Sequence, residues 1–302
     1  MKAQVTFLDN SGFIVDCPNV VMVFDYYRDP AHDLVKLLRK DTDKPVVFFV
    51  THNHADHFNT DIFNLAQDHK RLYVLSNDIP TREIHDTMPI DWMSAGDTIE
   101  DLPGCIAKVQ AYGSTDAGVS YVVTMSDGTT FFHAGDLNNW HWDAESTTRE
   151  AHRAQEKFTV ELDHIAEAHP SLDVAFFPVD TRQGENCSAG ARQFLDTIAV
   201  GDFFPMHFKG SYETACDFDA YNLNAAVKAL QGDRPQLCGA QRRLHPHHPH
   251  RRAPGRRRGD RYDRVGLKSI PIKSPFVCGS TTHTKGLFCR LWDKGLFKWV
   301  VM

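Results

Sequence analysis

Three apolar runs in this sequence each stop abruptly at histidine or aspartate, residue types suited to metal ligation, and that repetition constrains the fold more than any other feature. The first is Pro45 to Val50 (PVVFFV), whose β-branched and aromatic residues read as a buried strand. It runs straight into Thr51 to Phe58 (THNHADHF), which sets three histidines and an aspartate within six consecutive positions. The second, Phe131 to Asp136 (FFHAGD), enters a glycine turn and ends at Asp136. The third, Phe203 to Gly210 (FFPMHFKG), delivers His207.

Neutral imidazole nitrogens and carboxylate oxygens ligate divalent zinc, iron and manganese. His52 and His54, spaced i, i+2, share one face of an extended segment and can reach one ion. Asp56 and His57 follow after a bend and can reach a second. A pair of ions about 3.5–4 Å apart needs a bridging ligand and further histidines from elsewhere. Asp136 and His207 stand at the other two strand ends to supply them.

The remaining pattern predicts a layered α/β or α+β domain. Residues 4–16 read as a hairpin turning at Asp9–Gly12, and Val20 to Phe24 as a strand ending at Asp25. Helical spacing appears over His32–Lys40, Thr60–Gln67, Arg149–His169 and Ala189–Ile198. Further strands are expected at Leu72–Leu75, Ile106–Tyr112, Ser120–Met125, Thr129–His133, Asp173–Val179 and Phe203–Met206. The pair Asp127–Gly128 marks a hairpin turn.

Charge divides the chain. Residues 232–302 hold 16 Lys+Arg and 4 Asp+Glu, which leaves 17 and 35 for residues 1–231. An acidic body is a poor surface for a nucleic-acid backbone, whereas the basic segment could attract one. The stretch 242–264 (RRLHPHHPHRRAPGRRRGDRYDR) has too few aliphatic residues to bury a core and is expected to be disordered on its own. The expected organisation is thus a domain over 1–231 and a basic, Arg/His/Pro-rich tail over 232–302. The tail reads either as a nucleic-acid arm or as sequence foreign to the domain, and the second is favoured.

The 7 cysteines are scattered and never form a C-x-x-C pair, which fits reduced thiols better than disulfides or a thiolate zinc site. No apolar run approaches a membrane span, and polar residues punctuate the first sixteen positions, so neither membrane nor signal peptide is expected. The expected location is cytoplasmic.

THNHADH resembles the H-x-H-x-D-H signature of the metallo-β-lactamase-fold hydrolases. HAGD and PMH follow in the order of that superfamily's bridging aspartate and last histidine, and the resemblance covers roughly residues 3 to 215. It implies a four-layer αββα sandwich and one or two divalent ions, most often Zn2+, with Mn2+ or Fe2+ as alternatives. It implies His52 and His54 on the first metal, Asp56, His57 and His207 on the second, and Asp136 bridging. Asp56 would also orient the nucleophile or carry its proton. One departure stands out. The superfamily's further first-site histidine would fall within AYGSTDAGVS, where Gly113 or a neighbour stands instead. Ser114, Asp116 or an out-of-register His141, flanked by Trp140 and Trp142, could complete that site or line its pocket.

The implied activity is hydrolysis of a small-molecule ester, amide or phosphodiester by a metal-bound hydroxide. Two other readings stay open: a nuclease that uses the tail, and a metal-binding sensor or redox protein with little hydrolysis. Asp25 is read as a hydrogen-bond acceptor behind the ligands or a strand-end cap. His133 is read as structural rather than a ligand, the two tryptophans as core or pocket wall, and Asp180 and Arg182 as loop charges that meet solvent rather than touch substrate.

Overall fold

The computed structural model describes residues 2–40, 43–80, 84, 88–142 and 144–211, together with the backbone of 291–293 and 296–301. The first sheet contains β1 (Ala3–Phe7), β2 (Phe13–Asp16), β3 (Val21–Phe24), β4 (Val46–Val50), β5 (Arg71–Ser76) and β6 (Ile90–Met93). The second contains β7 (Thr98–Leu102), β8 (Ile106–Tyr112), β9 (Ser120–Met125), β10 (Thr130–His133), β11 (Ser171–Pro178) and β12 (Ala199–Met206). Two further strands, β13 (Leu291–Asp293) and β14 (Leu296–Val301), join the first sheet, whose order is β13-β14-β1-β2-β3-β4-β5-β6. The second runs β12-β11-β10-β9-β8-β7.

All five residues of β4 are buried, because both of its faces are covered. Val47 and Phe49 point into the core between the sheets. Val46, Phe48 and Val50 point the other way, toward Leu34 and Leu38 of α1 (Asp33–Leu38). On the far side, α2 (Thr148–Ala168) and α3 (Ala189–Thr197) cover the second sheet. A capping box between Thr147 and Glu150 starts α2, and Phe158, Leu162 and Ile165 form its buried stripe. The result is the expected four-layer αββα sandwich.

Strand direction then positions the site. β3 and β4 run parallel, as do β10, β11 and β12. Their carboxyl ends release Asp25, the THNHADH loop, Asp136, Asp180 and His207.

One expected element changes and two strands are added. Thr60–Gln67 is not a helix but a single 3-10 turn over Thr60–Phe63. The Asn59 side chain caps it, and Ala66 adopts a left-handed conformation (φ 51°) just beyond, which ends any helical run. β6 and β7 were not anticipated; β7 is mostly exposed at the sheet edge and lacks an apolar run to announce it. Within the span 232–302, β14 runs antiparallel to β1, with Val5 opposite Trp299. The expected domain boundary and the Arg/His/Pro-rich stretch lie outside the described residues. Among the described residues, no helix is long and apolar enough to cross a membrane.

Candidate metal site

Asp25 and His207 both leave their strands with left-handed backbones (φ 41° and 59°). Such conformations are uncommon for residues with a Cβ and cluster at functional sites. Here each turns the chain at a strand end and aims a side chain inward.

The buried imidazoles are oriented from behind. His57 Nδ1 donates to Asp25 Oδ2 at 2.7 Å, and His207 Nδ1 donates to Asp180 Oδ2 at 2.9 Å. The Thr51 hydroxyl donates to Asp25 Oδ2 at 2.7 Å, so its oxygen is free to accept from His52 Nδ1 at 3.0 Å. In all three rings an oxygen stands opposite Nδ1, which favours a proton there and leaves the Nε2 lone pair of the neutral ring facing the centre of the site.

Those lone pairs converge on Asp136. His52 Nε2 lies 3.4 Å from Asp136 Oδ2, while His57 Nε2 and His207 Nε2 lie 3.1 and 3.4 Å from Oδ1. His207 Nε2 is also 3.7 Å from Asp56 Oδ2. His54 Nδ1 stands 3.0 Å from His52 Nε2 and 4.0 Å from Asp136 Oδ2. Ligands held about 2.0–2.2 Å from a tetrahedral zinc stand about 3.3–3.6 Å apart, so these separations fit a small divalent cation. His57 Nε2 and Asp136 Oδ1 are buried without a hydrogen bond, which fits the same purpose. The donors sort into two groups able to hold a metal, His52 with His54 and Asp136, and Asp56 with His57 and His207.

Electrostatics point the same way. Burial lowers the proton affinity of His57, but the carboxylate of Asp136 close to Nε2 and the charge and hydrogen bond of Asp25 override it and push the pKa up to about 10. Burial opposes ionisation of Asp136, yet His52, His57 and His207 hold its carboxyl well below the usual range. The site attracts positive charge.

Asp56, half-buried, has a different setting. Its Oδ2 pairs with Lys209 Nζ and accepts from Asn10 Nδ2 at 3.1 Å. Lys209 gave no signal in the sequence, because its partner lies in a distant loop. Asp180 corrects its expectation: it is fully buried, not solvent-facing, and the Arg182 guanidinium lies across it. Burial resists its charge, but His207 and Arg182 hold its carboxyl well below the usual carboxylate range. His133 is structural as expected, fully buried, with Nε2 donating to the Ser11 carbonyl at 2.9 Å and its ring stacked on Phe24.

The other expected residues fall around this centre. Asp116 Oδ2 is 3.9 Å from His54 Nδ1, and Ser114 Oγ accepts from the Asp116 amide at 3.3 Å. Neither group contains Ser114, Asp116 or His141. Trp140 is edge-on to His207 (centroids 5.7 Å apart) and stacks on Trp142 (5.6 Å). Its Nε1 donates to the Asp136 carbonyl at 2.9 Å, so this tryptophan braces a site residue. At Gly113 an added Cβ would meet the Glu161 carboxylate of α2 at 2.5 Å.

No protein-family model matches the chain. Two curated proteins from Nitratidesulfovibrio vulgaris (strains Hildenborough and DP4), each called a UPF0173 metal-dependent hydrolase, are 32% identical to it over 146 residues. That stretch is 45% of this chain and 59% of the relatives, so the chain matches little more than half of their length. Among solved structures, Igni18, a metallo hydrolase from the hyperthermophilic archaeon Ignicoccus hospitalis, aligns with a TM-score of 0.55 at 14% identity. The alignment covers 76% of this chain and 93% of that one. The chain has the αββα architecture of the metallo-β-lactamase fold, and over 45% of its length its sequence is similar to proteins called metal-dependent hydrolases.

Proposed function

We propose that this chain is a metal-dependent hydrolase of a small-molecule ester, amide or phosphodiester, with one or two divalent ions, zinc foremost, as its cofactor. One observation carries the reading. Three buried histidines each hold their Nδ1 proton on an oxygen and turn Nε2 toward one buried carboxylate. The relatives and Igni18 are themselves called metal-dependent or metallo hydrolases, which supports it.

A metal at such a site lowers the pKa of bound water from 15.7 toward about 7 and polarises the bond under attack. The protein's own residues do the rest. His52, His54, Asp56, His57, Asp136 and His207 would hold the ions, with Asp136 between the groups. Asp56, still reachable from solvent and paired with Lys209, would orient the attacking water or accept its proton. Trp140 and Trp142 would shield one flank.

A panel of chromogenic esters, amides and phosphodiesters, assayed before and after chelation, tests the proposal. Activity should vanish with the metal and return on adding it back. Full activity in the chelated, metal-free protein would refute the reading. A metal-binding role with little hydrolysis is the second reading, favoured by Gly113, which leaves the His52/His54 group with two imidazoles. One tightly held metal and no turnover across the panel would support it.

A further inference from the structure

A recess on the α2 side of the metal site has no part in holding metal. It is a cavity of about 170 Å³ whose lining includes Thr115, Trp140, Glu150, Arg153 and Lys157. Its inner wall is tied to the backbone of Asp136. Trp140 Nε1 donates to that carbonyl at 2.9 Å, and the Thr115 hydroxyl lies 3.4 Å from it.

Its outer wall is α2, where Arg153 and Lys157 stand at i, i+4 on one face. Both are exposed, and among the described residues neither has an ion-pair or hydrogen-bond partner. Like charges at this spacing repel and weaken a helix slightly. The one acid in the lining, Glu150, is already engaged: its Oε2 accepts from the Thr147 amide at 2.8 Å and the Thr147 hydroxyl at 2.7 Å. The lining therefore carries two cations against one carboxylate, itself turned to Thr147, in a body where acids outnumber bases by 35 to 17 over residues 1–231.

Concave shape, an indole wall and convergent cations are the features of an oxyanion pocket. We propose that this recess binds a carboxylate or phosphate group carried by the substrate, beside the metal site. The inference rests on the hydrolase reading and sharpens it: the substrate is anionic, with its charged end on Arg153 and Lys157 and its scissile bond toward Asp136.

The test compares the full chain with the Arg153→Glu/Lys157→Glu double variant, whose folding is checked by its thermal melt. Equilibrium dialysis of chelator-treated protein against inorganic phosphate, and separately against succinate, reads the recess without metal. The wild type should bind at least one saturably, and the preferred ion tells phosphate from carboxylate. The charge reversal should weaken that binding about tenfold or more. With metal restored, the ratio of kcat/KM for mono-4-nitrophenyl succinate to that for neutral 4-nitrophenyl acetate should fall by about tenfold in the variant. No saturable binding by the wild type, or equal binding by both proteins, overturns the proposal. Binding that follows the two cations, with no turnover of any ester, amide or phosphodiester in the panel, would instead overturn the hydrolase reading alone.

Discussion

Asp25 Oδ2 accepts from His57 Nδ1 at 2.7 Å and from the Thr51 hydroxyl, also at 2.7 Å, so one buried carboxylate orients two histidines, the second through Thr51. It also accepts from the Thr51 amide at 2.8 Å. A carboxylate in this position fixes the tautomer and raises the basicity of the nitrogen that faces the metal.

Asp25→Asn should therefore lower metal affinity about 10- to 100-fold, the usual effect of removing such a partner. Competition against a chelator of known strength measures it. Asp25→Ala should cost about 3–5 kcal/mol of stability as well, because it strands the buried donors of His57 and Thr51.

Removing ligands one at a time should separate the two groups. His54→Ala, at a half-exposed position, should keep the metal of the Asp56 group and lose the other. Asp136→Ala should lose both, since its two oxygens face different groups. Elemental analysis of dialysed protein counts the ions. Turnover should drop about 100-fold or more in each variant, the scale of losing a principal electrostatic contributor.

Restoring the superfamily's usual residue by Gly113→His should not raise the metal content. The new Cβ points at the Glu161 carboxylate of α2, 2.5 Å away, so the ring begins its path toward that helix. The carboxylate is the end of a flexible chain and can swing aside, so the stability cost should stay near about 1 kcal/mol. Elemental analysis and a thermal melt of the variant check both statements.

A pH effect on stability arises away from the site, at Asp202 of β12. Burial, reinforced by the charge of Asp173, pushes its pKa up to about 6. An acid raised in the folded state destabilises it wherever the group must ionise. The penalty is complete above the folded pKa and disappears below the unfolded one. Asp202→Asn should thus stabilise the protein at pH 8 by about 1–2 kcal/mol, a figure reduced for the partial exposure of the group. Near pH 3.5 it should change little. Urea denaturation at the two pH values decides.

THNHADH, HAGD and PMH were legible in the sequence because each breaks an apolar run at a strand end, where a polar cluster has no structural excuse. The strands behind them were legible for the same reason. What stayed hidden depends on neighbours remote in sequence. Asp180 looks like any loop acid until His207 and Arg182 close over it, and Lys209 acquires meaning only beside Asp56. Gly118 and Gly135 stand where a Cβ would collide with Thr51, whose carbonyl accepts from the Val119 amide at 2.9 Å. Edge strands such as β7 escape notice because solvent on one side relaxes the demand for apolar residues.

The six convergent residues straddle the seam of the sandwich. Four come from the loop after β4 in the first sheet, while Asp136 follows β10 and His207 follows β12 in the second. A chain emerging from the ribosome thus displays the His52–His57 half well before its counterpart has been made. An ion held by all six would have to wait until β12 has been synthesised and docked, entering last as a rivet between layers already assembled.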